Sequence, residues 1–320
     1  MSRASTLADL GEGRLIDRIA RMARRLDQPG VVLGIGDDAA ILRLRRGEDL
    51  VTSTDATVED VHFRWREQSP VTVGRRALVA NLSDLAAMGA RPLGFSLALA
   101  APQSLELARF DGLLRGLLRE AQIHCCPLVG GNLARASQTS LAIHVLGGLP
   151  RGRGLRRDAL RAGDRLYVTG QLGAAALARA AAEREARPIR QLPVPRLAAG
   201  RALLALPGHG ACIDLSDGLL ADLGHLLRGT GLGAQLEPEN LPLSKGFPRR
   251  CRALGLDPLA LALAGGEDYE LLFSIRARPA ARISLSRLAR RLGVRVSAIG
   301  TITRDEGIAG VPLFESFLHY

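Results

Sequence analysis

The 320-residue sequence is short of lysine, aromatic residues and cysteine: it has a single lysine, Lys245, only 3% aromatics and four cysteines. A phosphate-cradling Walker loop requires G-x-x-x-x-G-K-[ST], and Leu243-Ser244-Lys245-Gly246 offers no such context, so P-loop chemistry is excluded. Few aromatics leave few platforms on which single-stranded bases could stack. The formal charge of +11 comes from arginines scattered over helix faces, such as Arg14, Arg18, Arg21, Arg24 and Arg25. That basic background draws in small anions; it is not the clustered footprint of a nucleic-acid binder. Cys125, Cys126, Cys212 and Cys251 show no C-x-x-C spacing, which argues against a zinc knuckle or a disulfide framework and for inert buried thiols. No apolar run approaches the roughly 20 residues of a membrane span. The first residues run into Asp9 and Glu12 without the apolar core of a secretory signal, so a cytoplasmic protein is expected.

What is present is an ordinary globular composition, 47% hydrophobic and 23% charged, in a chain long enough for two domains. Apolar spacing predicts a helix over 12–26, then short strands over 31–35, 40–44 and 50–54, the last two joined as a hairpin by Arg45-Arg46-Gly47-Glu48-Asp49. Helices over 73–88 and 105–123 and strands over 93–100, 127–129 and 141–149 complete a β-rich first half. Residues 150–163 are rich in Arg and Gly and carry little periodicity, which places a domain boundary there and gives expected domains of 1–150 and 151–320. The second half alternates more regularly: strands over 164–169, 211–215, 271–275 and 294–299, helices over 174–185, 194–206, 219–228 and 280–292.

The carboxylates carry the chemical information, because they sit at strand ends and in glycine-rich turns. Gly34-Ile35-Gly36-Asp37-Asp38-Ala39 follows a strand, Ser53-Thr54-Asp55 ends one, Asn81-Leu82-Ser83-Asp84 lies in a helical segment, and Ile213-Asp214-Leu215-Ser216-Asp217-Gly218 joins a strand to a helix. Gly265-Gly266-Glu267-Asp268-Tyr269-Glu270 precedes another strand. Helix capping alone accounts for one such place, Asp217 for instance, but not for five. The first turn satisfies the dinucleotide pattern G-x-G-x-x-[GA]. A helix should open there, yet Ala40-Ile41-Leu42 leads into a hairpin, and Asp37 and Asp38 would face a pyrophosphate directly. Two like charges about 4 Å apart repel by roughly 4 kcal/mol at an effective dielectric near 20. Carboxylates beside phosphates therefore imply a bridging cation, and Mg²⁺ suits a few carboxylates plus substrate phosphates.

With these blocks in view, the sequence resembles the thiamine-monophosphate kinase family, part of the superfamily of aminoimidazole ribonucleotide synthetase (PurM-like) and selenophosphate synthetase. The resemblance runs nearly end to end. It rests on Gly34-Ile35-Gly36-Asp37-Asp38, Ser53-Thr54-Asp55 with His62-Phe63, residues 80–90 around Asn81-Leu82-Ser83-Asp84, Gly130-Gly131, Tyr167-Val168-Thr169-Gly170, Ile213-Asp214-Leu215-Ser216-Asp217-Gly218 and Gly265-Gly266-Glu267-Asp268-Tyr269-Glu270-Leu271. The implied fold is α+β: a β-rich N-terminal domain that dimerises through its sheet, followed by an α/β C-terminal domain. By position, Asp38, Ser53, Thr54, Asp55, Asp84, Asp214 and Asp217 match the family's magnesium-binding residues. Gly131, Arg157 and Ser216 match nucleotide contacts, while His62, Glu267 and, by a looser alignment of the tail, Phe314 match residues at the thiamine phosphate.

One departure stands out, since the family has Gly-Gly-Asp where this chain has Gly130-Gly131-Asn132. Asn132 keeps an oxygen ligand for metal or nucleotide and loses its charge. What the resemblance implies is transfer of the γ-phosphoryl of ATP to thiamine monophosphate, with several Mg²⁺ ions held chiefly by Asp38, Asp55, Asp84 and Asp214. Two other readings stay open: a superfamily member acting on a purine precursor, and a homologue that binds these ligands without turnover.

Overall fold

The computed structural model describes residues 5–23 and 30–312. They fall into two compact units: residues up to 85, 91–151 and 186–192 in the first, and 86–90, 152–185 and 193 onward in the second. In chain order the first unit contains α1 (Leu7–Leu10), α2 (Glu12–Ala23), β1 (Val31–Leu33), β2 (Ile41–Leu42), β3 (Glu48–Val58), most of α3 (Pro70–Met88), β4 (Arg91–Ala101), α4 (Leu107–Ile123), β5 (Leu128–Arg135) and β6 (Ser140–Pro150). Four strands form one sheet in the order β3-β6-β4-β5, antiparallel except for the β4–β5 pair. Successive residues of a strand point to opposite faces. Leu93, Phe95, Leu97 and Leu99 of β4 and Leu141, Ile143 and Val145 of β6 are accordingly buried on one face, with Phe110, Leu113, Leu114 and Leu117 of α4 also in the core.

α3 begins three residues before the first apolar-periodic position, Val73, because Pro70 supplies a preset φ at the first helical position and the Ser69 hydroxyl accepts the Thr72 N–H at 3.1 Å. The expected pairing of residues 40–44 with 50–54 does not occur. β2 pairs with β1, Val31 opposite Leu42 and Leu33 opposite Ile41, and β3 pairs along its whole length with β6. β3 is longer than expected, so Ser53-Thr54-Asp55 lies inside a strand rather than at its end. Residues 24–26 of the first expected helix lie outside the described residues.

The second unit contains β7 (Arg165–Thr169), α5 (Ala174–Glu185), α6 (Leu197–Leu204), β8 (His209–Asp214), α7 (Leu219–Leu227), β9 (Gly233–Leu236), α8 (Phe247–Ala253), α9 (Pro258–Ala264), β10 (Leu271–Ile275), α10 (Ala277–Ala280), α11 (Leu285–Leu292), β11 (Val296–Thr303) and β12 (Gly307–Ala309). Its sheet runs β12-β9-β11-β7-β10-β8 and is antiparallel except for β12 beside β9. Val168, Ile213, Leu223, Phe247, Leu263, Leu272 and Ile299 form its core. The expected helix over 280–292 is shortened to α11, since α10 ends at Ala280 and Ser284 caps the new helix by accepting the Arg287 N–H at 3.3 Å. Cys126, Cys212 and Cys251 are buried, as expected of inert thiols, but Cys125 is exposed. Among the described residues no helix is long and apolar enough to cross a membrane.

Candidate active site

In the first unit, β3 and α3 bring three of the expected ligands together. Ser53 and Asp55 stand opposite Val145 and Ile143 in the ladder, so both side chains belong to the face that α3 covers. The Ser53 hydroxyl donates to Asp84 Oδ2 at 2.5 Å. The Asp55 backbone N–H donates to Asn81 Oδ1 at 3.1 Å, and the buried Asn81 amide is itself held by the Ala77 carbonyl at 2.9 Å. Ser53, Asp55 and Asp84 offer only hydroxyl and carboxylate oxygens, the hard donors that fit Mg²⁺ rather than a soft metal. Thr54 does not join them through its side chain. It stands opposite His144 and points to the other face, where its hydroxyl lies 2.6 Å from His144 Nδ1.

The second group in this unit lines a cleft of about 770 Å³ on that other face. The loop between β1 and β2 supplies Gly34 to Ala40, Asp38 included, β5 supplies Gly130, Gly131 and Asn132, and α2 closes the side with Ile16 and Ile19. A Cβ at Gly131 would lie 2.0 Å from the Leu97 carbonyl oxygen, so only glycine lets β5 approach β4 this closely. The glycine loop turns a hairpin instead of opening a helix, which bears out the rejection of a dinucleotide fold. Asn132, opposite Ala98, lies at the β5 edge of the sheet and Asp55 at the β3 edge. Three strand spacings separate those edges, about 14 Å.

His62 follows β3. Its Nδ1 accepts the Val58 backbone N–H at 3.1 Å, which places the proton of the neutral ring on Nε2.

In the second unit, the two glycine-rich acidic turns are joined by backbone hydrogen bonds that continue the β8–β10 pairing. Leu215 N–H donates to the Glu270 carbonyl at 2.8 Å, Tyr269 N–H to Leu215 at 2.9 Å, and Glu267 N–H to Ser216 at 2.8 Å. Glu267 and Tyr269 take positive φ, 67° and 50°, which is costly for residues with side chains and typical of functional turns. The Glu267 carboxylate pairs with Arg179 of α5 at 3.0 Å. Asp268 accepts the N–H groups of Gly173 and Ala175 at the start of α5, and burial pushes its carboxyl up to about 7. Glu270 is buried and clamped by both Nε and Nη2 of Arg196 and by the Thr169 hydroxyl at 2.6 Å. Arg157 is exposed, on the segment beside β8, and its charge partly offsets the burial that raises the Cys212 thiol.

Asp217 is not the cap of α7. The N-cap is Gly218, with no side-chain cap bond, and Asp222, inside the first turns of the helix and missed by sequence reasoning, anchors the turn that precedes it: its Oδ2 accepts the N–H groups of Asp217 and Gly218, each at 3.1 Å. Its position four residues after Gly218, one turn along on the same side, is the signal that could have found it. Asp222 is 1% exposed, and burial, reinforced by the charges of Asp214 and Asp217, pushes its carboxyl up to about 8. His225 Nε2 lies 3.8 Å from Asp217 Oδ2. Phe314 lies outside the described residues.

Residues 36–149 match the family model described as AIR synthase related protein, N-terminal domain. The thiamine-monophosphate kinase of Salmonella typhimurium is 38% identical over 316 residues, covering 93% of this chain and 92% of the relative. Among solved structures, thiamine-monophosphate kinase from Stenotrophomonas maltophilia K279a superposes with a TM-score of 0.80 at 35% identity, covering 92% and 94% of the two chains. AaThiL complexed with AMPPCP and TMP superposes with a TM-score of 0.73 at 29% identity, covering 98% of each. With more than nine-tenths of its length matched to a relative at that identity, the chain belongs to the thiamine-monophosphate kinase family.

Proposed function

We propose that the protein transfers the γ-phosphoryl group of ATP directly to thiamine monophosphate, giving thiamine diphosphate and ADP. The observation that carries this reading is the end-to-end match to enzymes named for thiamine monophosphate, one of them solved with AMPPCP and TMP. The acceptor is a phosphate whose second pKa lies near 6, so much of it is a dianion at neutral pH and needs no strong general base. The difficulty is bringing two anions into line, which calls for positioning and charge neutralisation. Asp38, Asp55, Asp84, Asn132, Asp214 and Asp217 would hold Mg²⁺, with the Ser53 hydroxyl. When bound there, Mg²⁺ would supply the positive charge that lets the phosphates approach. Gly131, Asn132, Arg157 and Ser216 serve the nucleotide. His62 offers its Nε2–H to a phosphate oxygen, and Glu267 offers a carboxylate to the cationic ring of thiamine.

The split of the first-unit ligands between opposite sheet edges supports a homodimer in which each chain completes the other's site, with β3, an edge strand of the sheet among the described residues, meeting another strand. Sedimentation should then give twice the 34.0-kDa chain mass. A cytoplasmic location fits these small-molecule substrates.

An ADP-release assay coupled to chromatography of thiamine phosphates tests the reaction. Diphosphate should form from the monophosphate with ATP and millimolar Mg²⁺, and free thiamine should not serve. Binding of both substrates without ADP release would instead favour the non-catalytic homologue that Asn132 leaves open.

A further inference from the structure

Two observations converge on the peptide unit between Ser216 and Asp217. Its carbonyl accepts the Glu267 N–H at 2.8 Å, and its N–H donates to Asp222 Oδ2 at 3.1 Å. The same carboxylate oxygen takes the next amide, Gly218 N–H, at 3.1 Å. A peptide fixed at both ends cannot rotate about its own axis, so the directions of the flanking Cα–Cβ bonds are fixed with it. Those bonds carry the Ser216 hydroxyl and the Asp217 carboxylate. Asp222 is 1% exposed, so no solvent molecule readily takes its place, and a buried amide left unpaired costs about 1–3 kcal/mol. The turn also has no slack on the other side. Gly218 sits at φ 107° with the Ala264 backbone 2.8 Å from where a Cβ would be.

We propose that Asp222 is a positioning residue for phosphoryl transfer: it fixes the Ser216-Asp217-Gly218 turn so that Ser216 and Asp217 hold their ligand-facing directions. The inference rests on the reading of Ser216 and Asp217 as nucleotide and metal contacts. Asn at position 222 keeps an acceptor oxygen of the same reach, whereas Ala removes that acceptor from both amides.

The test compares wild type, Asp222→Ala, Asp222→Asn and Asp217→Ala in the kinase assay, with Mg²⁺ titrations and thermal melts on each. Asp222→Ala should lower kcat at least tenfold and raise the half-saturating Mg²⁺ concentration severalfold, and Asp222→Asn should recover most of both. A purely structural residue would lower the melting temperature while the folded enzyme kept its kcat and its Mg²⁺ requirement. The inference is overturned if Asp222→Ala keeps both values within twofold of wild type, or if Asp222→Asn is no better than Ala. If Asp217→Ala is itself fully active, the reading of the site fails instead, and the two failures are told apart. Should Asp222→Ala not fold, amide hydrogen exchange in the wild-type protein decides. Asp217 and Gly218 amides should be protected, and exchange as fast as in open loops would overturn the proposal.

Discussion

The backbone N–H of Glu267 lies 2.8 Å from the carbonyl oxygen of Ser216, tying the two acidic turns of the second unit into one rigid platform. The residues on either side of this bond have different fates. Asp268 and Glu270 are buried and spent on α5 and on Arg196, while Glu267 stays 24% exposed at its side chain. Neighbouring acidic residues thus divide between holding the turn and staying partly open to solvent beside Arg179.

Asp84→Asn should leave the fold intact, because Asn can still accept the Ser53 hydroxyl that now lies 2.5 Å from Asp84 Oδ2. Removing the charge should reduce kcat by roughly 10²-fold or more, as loss of a key electrostatic group does. Circular dichroism and the ADP-release assay check the two halves, and retained activity would rule out Asp84 as a ligand.

Gly131→Ala should destabilise the first unit by about 1–3 kcal/mol, the usual cost of overpacking. A methyl group there would sit 2.0 Å from the Leu97 carbonyl oxygen, which forces β4 and β5 apart. Urea denaturation measures the loss, and an unchanged midpoint would contradict the close approach.

Asn132→Asp adds a negative charge to the cleft that Asp38 also lines. If Asn132 is a neutral metal ligand, the half-maximal Mg²⁺ concentration should fall, each tenfold drop corresponding to about 1.4 kcal/mol of binding. A magnesium titration of both proteins checks this. An unchanged or higher requirement in the Asp variant would remove Asn132 from the ligand set.

Asp268→Asn should change how stability depends on pH. Burial lifts the Asp268 carboxyl from the ordinary 3.8 to about 7, so between those values the folded protein holds a proton that the unfolded chain has released. Stability from this group is fully present below pH 3.8 and is lost as pH rises towards 7, with a slope of at most about 1.4 kcal/mol per pH unit. Asn does not titrate. The stability of wild type relative to the variant should therefore fall from pH 4 to pH 7 and then level off, as read from denaturation midpoints across that range.

Local chemistry was legible from the residues themselves. Pattern and turn residues located α5 and β10 to the residue, and the acidic glycine-rich blocks pointed to the candidate site, although Asp268 and Glu270 among them hold the turn itself. Pairing was not legible. Residues 40–44 and 50–54 are adjacent in sequence and were expected to form a hairpin, yet β3 pairs with β6 about 90 residues away, since strand partners are chosen by which apolar faces can be buried together. The same tertiary choice put Ser53 and Asp55 on the helix-covered face, turned Thr54 to the opposite one, and set Asn132 at the far edge of the sheet. It also made Asp222 the partner of the Asp217 amide. A sequence names the groups available for chemistry, but the direction in which each points is set by strand register and helix packing, which depend on contacts between distant segments.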